Sequence, residues 1–137
     1  MQSKLDLELV GLTKRYGAQL LISEHTYRQL ENPDAYHLRT LGRVLPKGKS
    51  TPVTIYELFD GNPAEHVDRK LATRSAFETA LSLYRQGRFD DAMASFEGVL
   101  VRHPDDSAAR VYVDRCAYYL RQGRPHDWDG VERFDSK

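Results

Sequence analysis

Cysteine is nearly missing: Cys116 stands alone, so the chain can close no intramolecular disulfide and build no cysteine-based zinc site. An excess of charge of one sign is missing too. Lys and Arg number 20, Asp and Glu number 20, and the pI is about 7.0. A broad basic face for DNA, RNA or anionic lipid needs clustered surplus positive charge, and this balance leaves room only for a small local patch. Apolar runs fall far short of the roughly 20 residues that a membrane-spanning helix requires. Met1–Val10 holds no basic segment followed by an apolar stretch, which is the form of a secretory leader. These absences predict a soluble, cytoplasmic protein with neither nucleic-acid nor membrane partners.

What is present divides the 137 residues into two halves of different periodicity. Leu5, Leu9, Leu12 and Tyr16 recur at helical spacing and stop at Gly17. The bounded apolar run Gln19–Ser23 predicts a buried strand. Ser23 then caps a short helix that ends before Asn32-Pro33. Tyr36, Leu38 and Thr40 lead into a strand that passes Gly42 and reaches Leu45. Pro52–Phe59, rich in β-branched and aromatic residues, is the clearest strand. Pro46-Lys47-Gly48-Lys49-Ser50 reads as the hairpin turn between these two strands. Gly61, Asn62 and Pro63 mark a linker.

Beyond the linker the period is helical. Leu71 to Tyr84 predicts one amphipathic helix, stopped at Gly87, and Phe89 to Leu100 a second, stopped at His103-Pro104. Asp105 or Asp106 caps a third that carries Val111, Tyr112, Cys116, Tyr119 and Leu120 up to Gly123. The polar tail Pro125–Lys137 is expected to fold back so that Trp128 covers a helix face. Ala80, Gly87, Phe89, Ala92, Phe96 and Pro104 resemble the tetratricopeptide pattern of paired antiparallel helices. Small residues allow close approach, Phe96 fills the space beside them and Pro104 forbids continuation. An ordinary helical hairpin is the plainer reading of the same residues. Because such repeats need about three units to stand alone, one and a half predict a cap packed on the first half or on a partner copy.

In the first half, Gly11-Leu12-Thr13-Lys14, Tyr16-Gly17 and Leu21-Ile22-Ser23-Glu24-His25-Thr26 resemble the end of class III adenylate and guanylate cyclase domains. Leu41-Gly42-Arg43-Val44, Lys47-Gly48-Lys49 and Pro52–Leu58 continue the likeness, which covers about residues 9 to 60. The helical tail and Asp127-Trp128-Asp129-Gly130-Val131 resemble the region C-terminal to that domain in many bacterial cyclases.

The resemblance implies an α+β fold. A partial ferredoxin-like remnant, with short helices and about three strands, is followed by an all-α tetratricopeptide-like hairpin and third helix. The expected boundaries are 1–60 for the cyclase part, 61–67 for the linker and 68–137 for the helical segment with its tail. The family works as a dimer with ATP at the subunit interface. Two aspartates near the start of the domain hold Mg²⁺ or Mn²⁺, and an Asn and an Arg four residues apart serve the ribose and the transition state. A lysine in the last hairpin contacts the triphosphate. The ribose 3′-hydroxyl attacks the α-phosphate and pyrophosphate leaves, a reaction driven by metal and fixed cations against developing negative charge.

Of these parts, the hairpin lysine is matched by Lys47. The Asn position holds Lys4 and the Arg position holds Glu8, a negative charge where a positive one is needed. The metal aspartates lie ahead of the matched stretch in the family pattern, and Asp6 alone cannot replace them. The expectation is therefore a truncated cyclase-family chain with no catalytic and no metal-binding residues of its own and no cofactor. Lys47 and Lys49 read most plainly as a solvated hairpin tip; as a triphosphate contact, Lys47 would give the chain weak ATP binding, and the chain would associate with a second copy or a full-length cyclase. The competing expectation is a small interaction module that uses the helices.

Several other features read as structural. Gly42 to Ser50 imitates a phosphate-binding loop, but five residues separate Gly42 from Gly48 where that motif has four, and a strand follows. His25, His37, His66, His103 and His126 show no metal-ligand spacing and read as surface residues. Ser23 and His25 do not face each other at a helix start. Cys116 reads as packed. Tyr112, Tyr118 and Tyr119 predict either a partner surface or a cover for the sheet.

Overall fold

The computed structural model describes residues 13, 15–18, 20–46 and 48–133. The chain is α+β and divides into two compact units, Met1–Asn62 with Val131–Lys137, and Pro63–Gly130.

Among the described residues, the first unit holds a four-stranded sheet in the order β1-β3-β2-β4. Its strands are β1 (Leu21–Ser23), β2 (Leu38–Leu45), β3 (Val53–Leu58) and β4 (Val131–Arg133). The expected number was about three. β1 and β2 flank β3 antiparallel, and β4 runs parallel to β2. That fourth strand lies in the stretch read from sequence as the tail of the helical segment. Three residues with one buried apolar side chain, Val131, are too few to show a two-residue period.

Gly17, at φ +67°, ends the preceding helical turn, with the Ala18 N–H donating to Thr13 O at 3.0 Å. Leu5, Leu9 and Leu12 of that expected helix lie outside the described residues. Ser23 caps α1 (Glu24–Arg28) by accepting from the Thr26 N–H at 3.3 Å. Tyr27 of α1 stacks on Tyr56 of β3, with centroids 4.3 Å apart. Since Tyr56 pairs with Ile22 and Thr40, α1 lies on their face of the sheet. The opposite face carries Leu21, Ile55, Glu57 and Arg39, all buried.

A bulge between Thr40 and Gly42 shifts the β2 register by one residue at Leu41. Leu41 and Val44, three positions apart on either side of that shift, are both buried.

The second unit contains α2 (Ala64–Arg85), α3 (Phe89–Arg102) and α4 (Ser107–Gln122). α2 starts inside the expected linker 61–67. Its first turn follows Pro63 and is mostly exposed, so no apolar stripe announced it, while Glu65 pairs with Arg69 at 2.6 Å along the helix surface. Gly87, at φ +78°, ends α2 with the Arg88 N–H donating to Leu83 O at 3.0 Å. A Cβ there would also come within 2.5 Å of Arg124 Cδ and 3.3 Å of Trp128 Cδ1. Asp106 caps α4 through the Ala109 N–H at 3.2 Å.

Ala80 and Ala92 are fully buried, as the close approach of α2 and α3 demands. Around them runs a chain of ring contacts. Phe77 meets Phe96 edge-on, Phe96 stacks on Tyr112 at 4.9 Å, Tyr112 meets Tyr84, and Phe89 stacks on Tyr119. Trp128 closes the chain against Tyr84, Phe89 and Tyr119, and its Nε1–H donates to Tyr84 O at 2.9 Å. Tyr112 and Tyr119 therefore belong to this packing, Tyr112 buried and Tyr119 half-buried. Tyr118 is exposed.

Candidate functional site

The β2–β3 hairpin is where sequence chemistry and geometry meet. Pro46 and Lys49 close the turn, with the Lys49 N–H donating to Pro46 O at 3.0 Å. Gly48 takes φ +81° at its third position, which a side-chain-bearing residue adopts only with strain. This turn leaves Lys49 exposed at the tip. Lys47, between Pro46 and Gly48, lies outside the described residues, as do Lys4, Asp6 and Glu8. The structure thus bears on the hairpin that would present Lys47 and not on the lysine itself. Arg43, on β2 just before the turn, is half-buried opposite Thr54. The element after the turn is the strand β3, so this loop does not form the helix-backed cradle of a phosphate-binding loop.

Behind the hairpin sits a feature that sequence reasoning missed. Arg39 and Glu57 are direct cross-strand partners, joined Nε to Oε1 at 2.7 Å, with side chains 1% and 2% exposed. A signal was available: each charge stands in a strand beside apolar residues, and the register of the hairpin makes them opposite. Nothing short of that register identifies them as a pair. At the far end of β3, the His37 N–H donates to Asp60 Oδ1 at 2.7 Å and the Phe59 N–H donates to His37 O at 2.9 Å. The His37 ring stacks on buried Phe59.

Among the described residues, no three His, Cys, Asp or Glu side chains converge in a way that could hold a metal ion. Ser23 spends its hydroxyl as the cap of α1. Cys116 is fully buried, and that burial pushes its thiol up to about 12, with the Arg115 guanidinium drawing it partly back. His126 is exposed as expected. His103 is not: it is 0% exposed, and its Nε2 lies 3.4 Å from Nδ1 of His66. Its position at the end of α3, next to Pro104, gave it no apolar period from which burial could be read. No helix among the described residues is long and apolar enough to cross a membrane.

No protein-family model matches the chain, and no solved structure does. Two curated proteins are similar to it. One is "Adenylate cyclase, terminal-differentiation specific" of Dictyostelium discoideum, 27% identical over 111 residues, 80% of this chain and 5% of that protein. The other is "Adenylate cyclase" of Anabaena cylindrica, 43% identical over 49 residues, 35% of this chain and 10% of that protein. The first match is longer than either compact unit, so it reaches into both the sheet and the helices. The chain spans only a small part of these relatives' length, and over that part it is similar to adenylate cyclases.

Proposed function

We propose that these 137 residues are the closing segment of a class III nucleotide cyclase domain joined to a tetratricopeptide-like helical unit, and that alone they do not form cyclic AMP. The observation that carries this reading is the hairpin. Its β2 and β3 strands and Gly48 turn bracket position 47, where the cyclase resemblance puts the triphosphate lysine, and the likeness to two adenylate cyclases supports it. Lys47 then acts as a fixed cation against the phosphates. Cyclisation also needs two metal-holding aspartates and an Asn–Arg pair. The first lie ahead of the matched stretch in the family pattern, and Lys4 and Glu8 stand at the second. Removing a single transition-state donor already costs about 10²–10³ in rate. One lysine cannot replace the set.

The test is an assay of the purified chain with ATP and Mg²⁺ or Mn²⁺, paired with direct measurement of ATP binding. The expected result is no cyclic AMP, with weak ATP binding that Lys47→Ala abolishes. Metal-dependent cyclic AMP from the pure protein would overturn the inactivity. ATP binding that ignores Lys47→Ala would overturn the site.

The match into the helical unit favours a second reading beside the first, in which that unit binds a second copy or a full-length cyclase. Phe96→Asp is a poor probe of it, because Phe96 is wholly buried and its loss would unfold the unit. Tyr118→Asp and Leu120→Asp alter exposed positions of α4 and leave that core intact. An association that survives both changes would count against these exposed positions of α4 as part of the binding surface.

A further inference from the structure

The histidine pair of the helical unit has a geometry that helix packing alone does not call for. His66 lies in the first turn of α2 and His103 is the residue that ends α3. Their rings meet edge-on at 80°, centroids 5.2 Å apart, and bring His66 Nδ1 to 3.4 Å from His103 Nε2. That is long for a hydrogen bond between nitrogens, given that N–H···O bonds lie at about 2.7–3.2 Å. It is the separation two imidazole nitrogens take on one tetrahedral ion, where metal–nitrogen bonds of about 2.0–2.1 Å set them about 3.3–3.4 Å apart. Both backbones are pinned. The His66 N–H donates to Pro63 O at 2.9 Å and the His103 N–H to Val99 O at 2.8 Å, while His103 O accepts from the Asp106 N–H at 3.1 Å. His103 is excluded from solvent and His66 is half-buried.

We infer that His66 and His103 form a two-histidine site for a borderline-soft divalent transition metal of the Zn²⁺ class, with water completing the coordination. No third His, Cys, Asp or Glu joins them among the described residues. Imidazole suits Zn²⁺, Ni²⁺ and Cu²⁺, whereas Mg²⁺ and Ca²⁺ take oxygen ligands, so this site does not serve the cations of a nucleotide reaction. A bound ion would clip the start of α2 to the end of α3. It would stabilise the helical unit by binding the folded form alone.

The experiment titrates the full chain with ZnCl₂ by calorimetry and follows the melting temperature, with CoCl₂ absorbance as the report on tetrahedral nitrogen ligation. His66→Ala and His66→Gln are run beside the wild type. The expected result is one Zn²⁺ per chain and a melting temperature that climbs with Zn²⁺ concentration, both lost in the two variants, and no response to MgCl₂. His66→Gln keeps a side chain that can hydrogen-bond His103 and should melt like the metal-free wild type. That separates lost ligation from lost folding. A wild type indifferent to Zn²⁺, or a response unchanged in both variants, would overturn the inference. Neither outcome touches the hairpin reading, which rests on Lys47 and ATP.

Discussion

Arg39 and Glu57 face each other across β2 and β3, Nε to Oε1 at 2.7 Å, in a place from which water is excluded. A charge pair in that setting gains from mutual attraction about what it loses on leaving water, but either charge without its partner is costly. Glu57→Leu or Arg39→Met alone should therefore destabilise the sheet unit by about 3–5 kcal/mol. The double variant Arg39→Met/Glu57→Leu should recover most of that loss. Urea unfolding followed by circular dichroism, set out as a double-mutant cycle, measures the coupling. Two single losses that simply add in the double variant would show that the pair contributes nothing as a pair.

Cys116 gives the helical unit a dependence on alkaline pH. Its folded thiol titrates near 12 against an ordinary value of 9.0, because burial opposes the thiolate. A group whose folded pKa is raised gives stability that is whole below the unfolded pKa and is lost as pH rises toward the folded one. The window here is pH 9 to 12. At pH 10.5 the loss should reach about 2 kcal/mol relative to pH 8. The readout is the difference in urea midpoint between wild type and Cys116→Ala, which isolates the thiol. That difference should shrink as pH rises. At pH 8 the thiol should also react with a disulfide reagent only as fast as the unit opens. Prompt labelling of the folded chain would contradict the packing seen around Cys116.

Trp128 is the chain's single tryptophan, which makes its docking directly visible. In the folded state its ring lies against Tyr84, Phe89 and Tyr119, and its indole N–H is bonded to Tyr84 O. Its fluorescence should be blue-shifted in the native protein and move to the red on unfolding. Trp128→Ala should cost about 2–3 kcal/mol, less than a fully buried ring because the residue keeps some exposure. Trp128→Phe, which retains the ring contacts and drops the donor, should cost less than half of that. Native emission already at the wavelength of free tryptophan would mean that the segment after α4 does not dock.

What was legible in the sequence was legible for physical reasons. α3 and α4 each bury one apolar stripe between clear stops at Gly87, Pro104 and Gly123, so their period was plain. β3 was legible through its β-branched and aromatic run, and Ser23 and Asp106 through cap chemistry. Trp128 was expected to fold back because a lone indole in a polar tail needs a cover. The failures share a different cause. The first turn of α2 has no buried stripe, β4 is three residues long, and the bulge at Leu41 replaces a simple alternation with a register shift. Arg39–Glu57 and His66–His103 are relations between residues distant in the chain, and no local window contains them. Of the candidate site, the hairpin was read correctly as a hairpin. Lys47 itself belongs to the proposal.

The strand order carries one more lesson, about where this chain can be divided. β4 is added to the outer side of β2 only after three helices have intervened, so the sheet is not contiguous in sequence and a single cut cannot separate it from the helices without loss. A fragment that stops at Asn62 would strip the neighbour from Arg43, Val44 and Leu45 and turn an interior strand into an open margin, ready to recruit backbone from another chain.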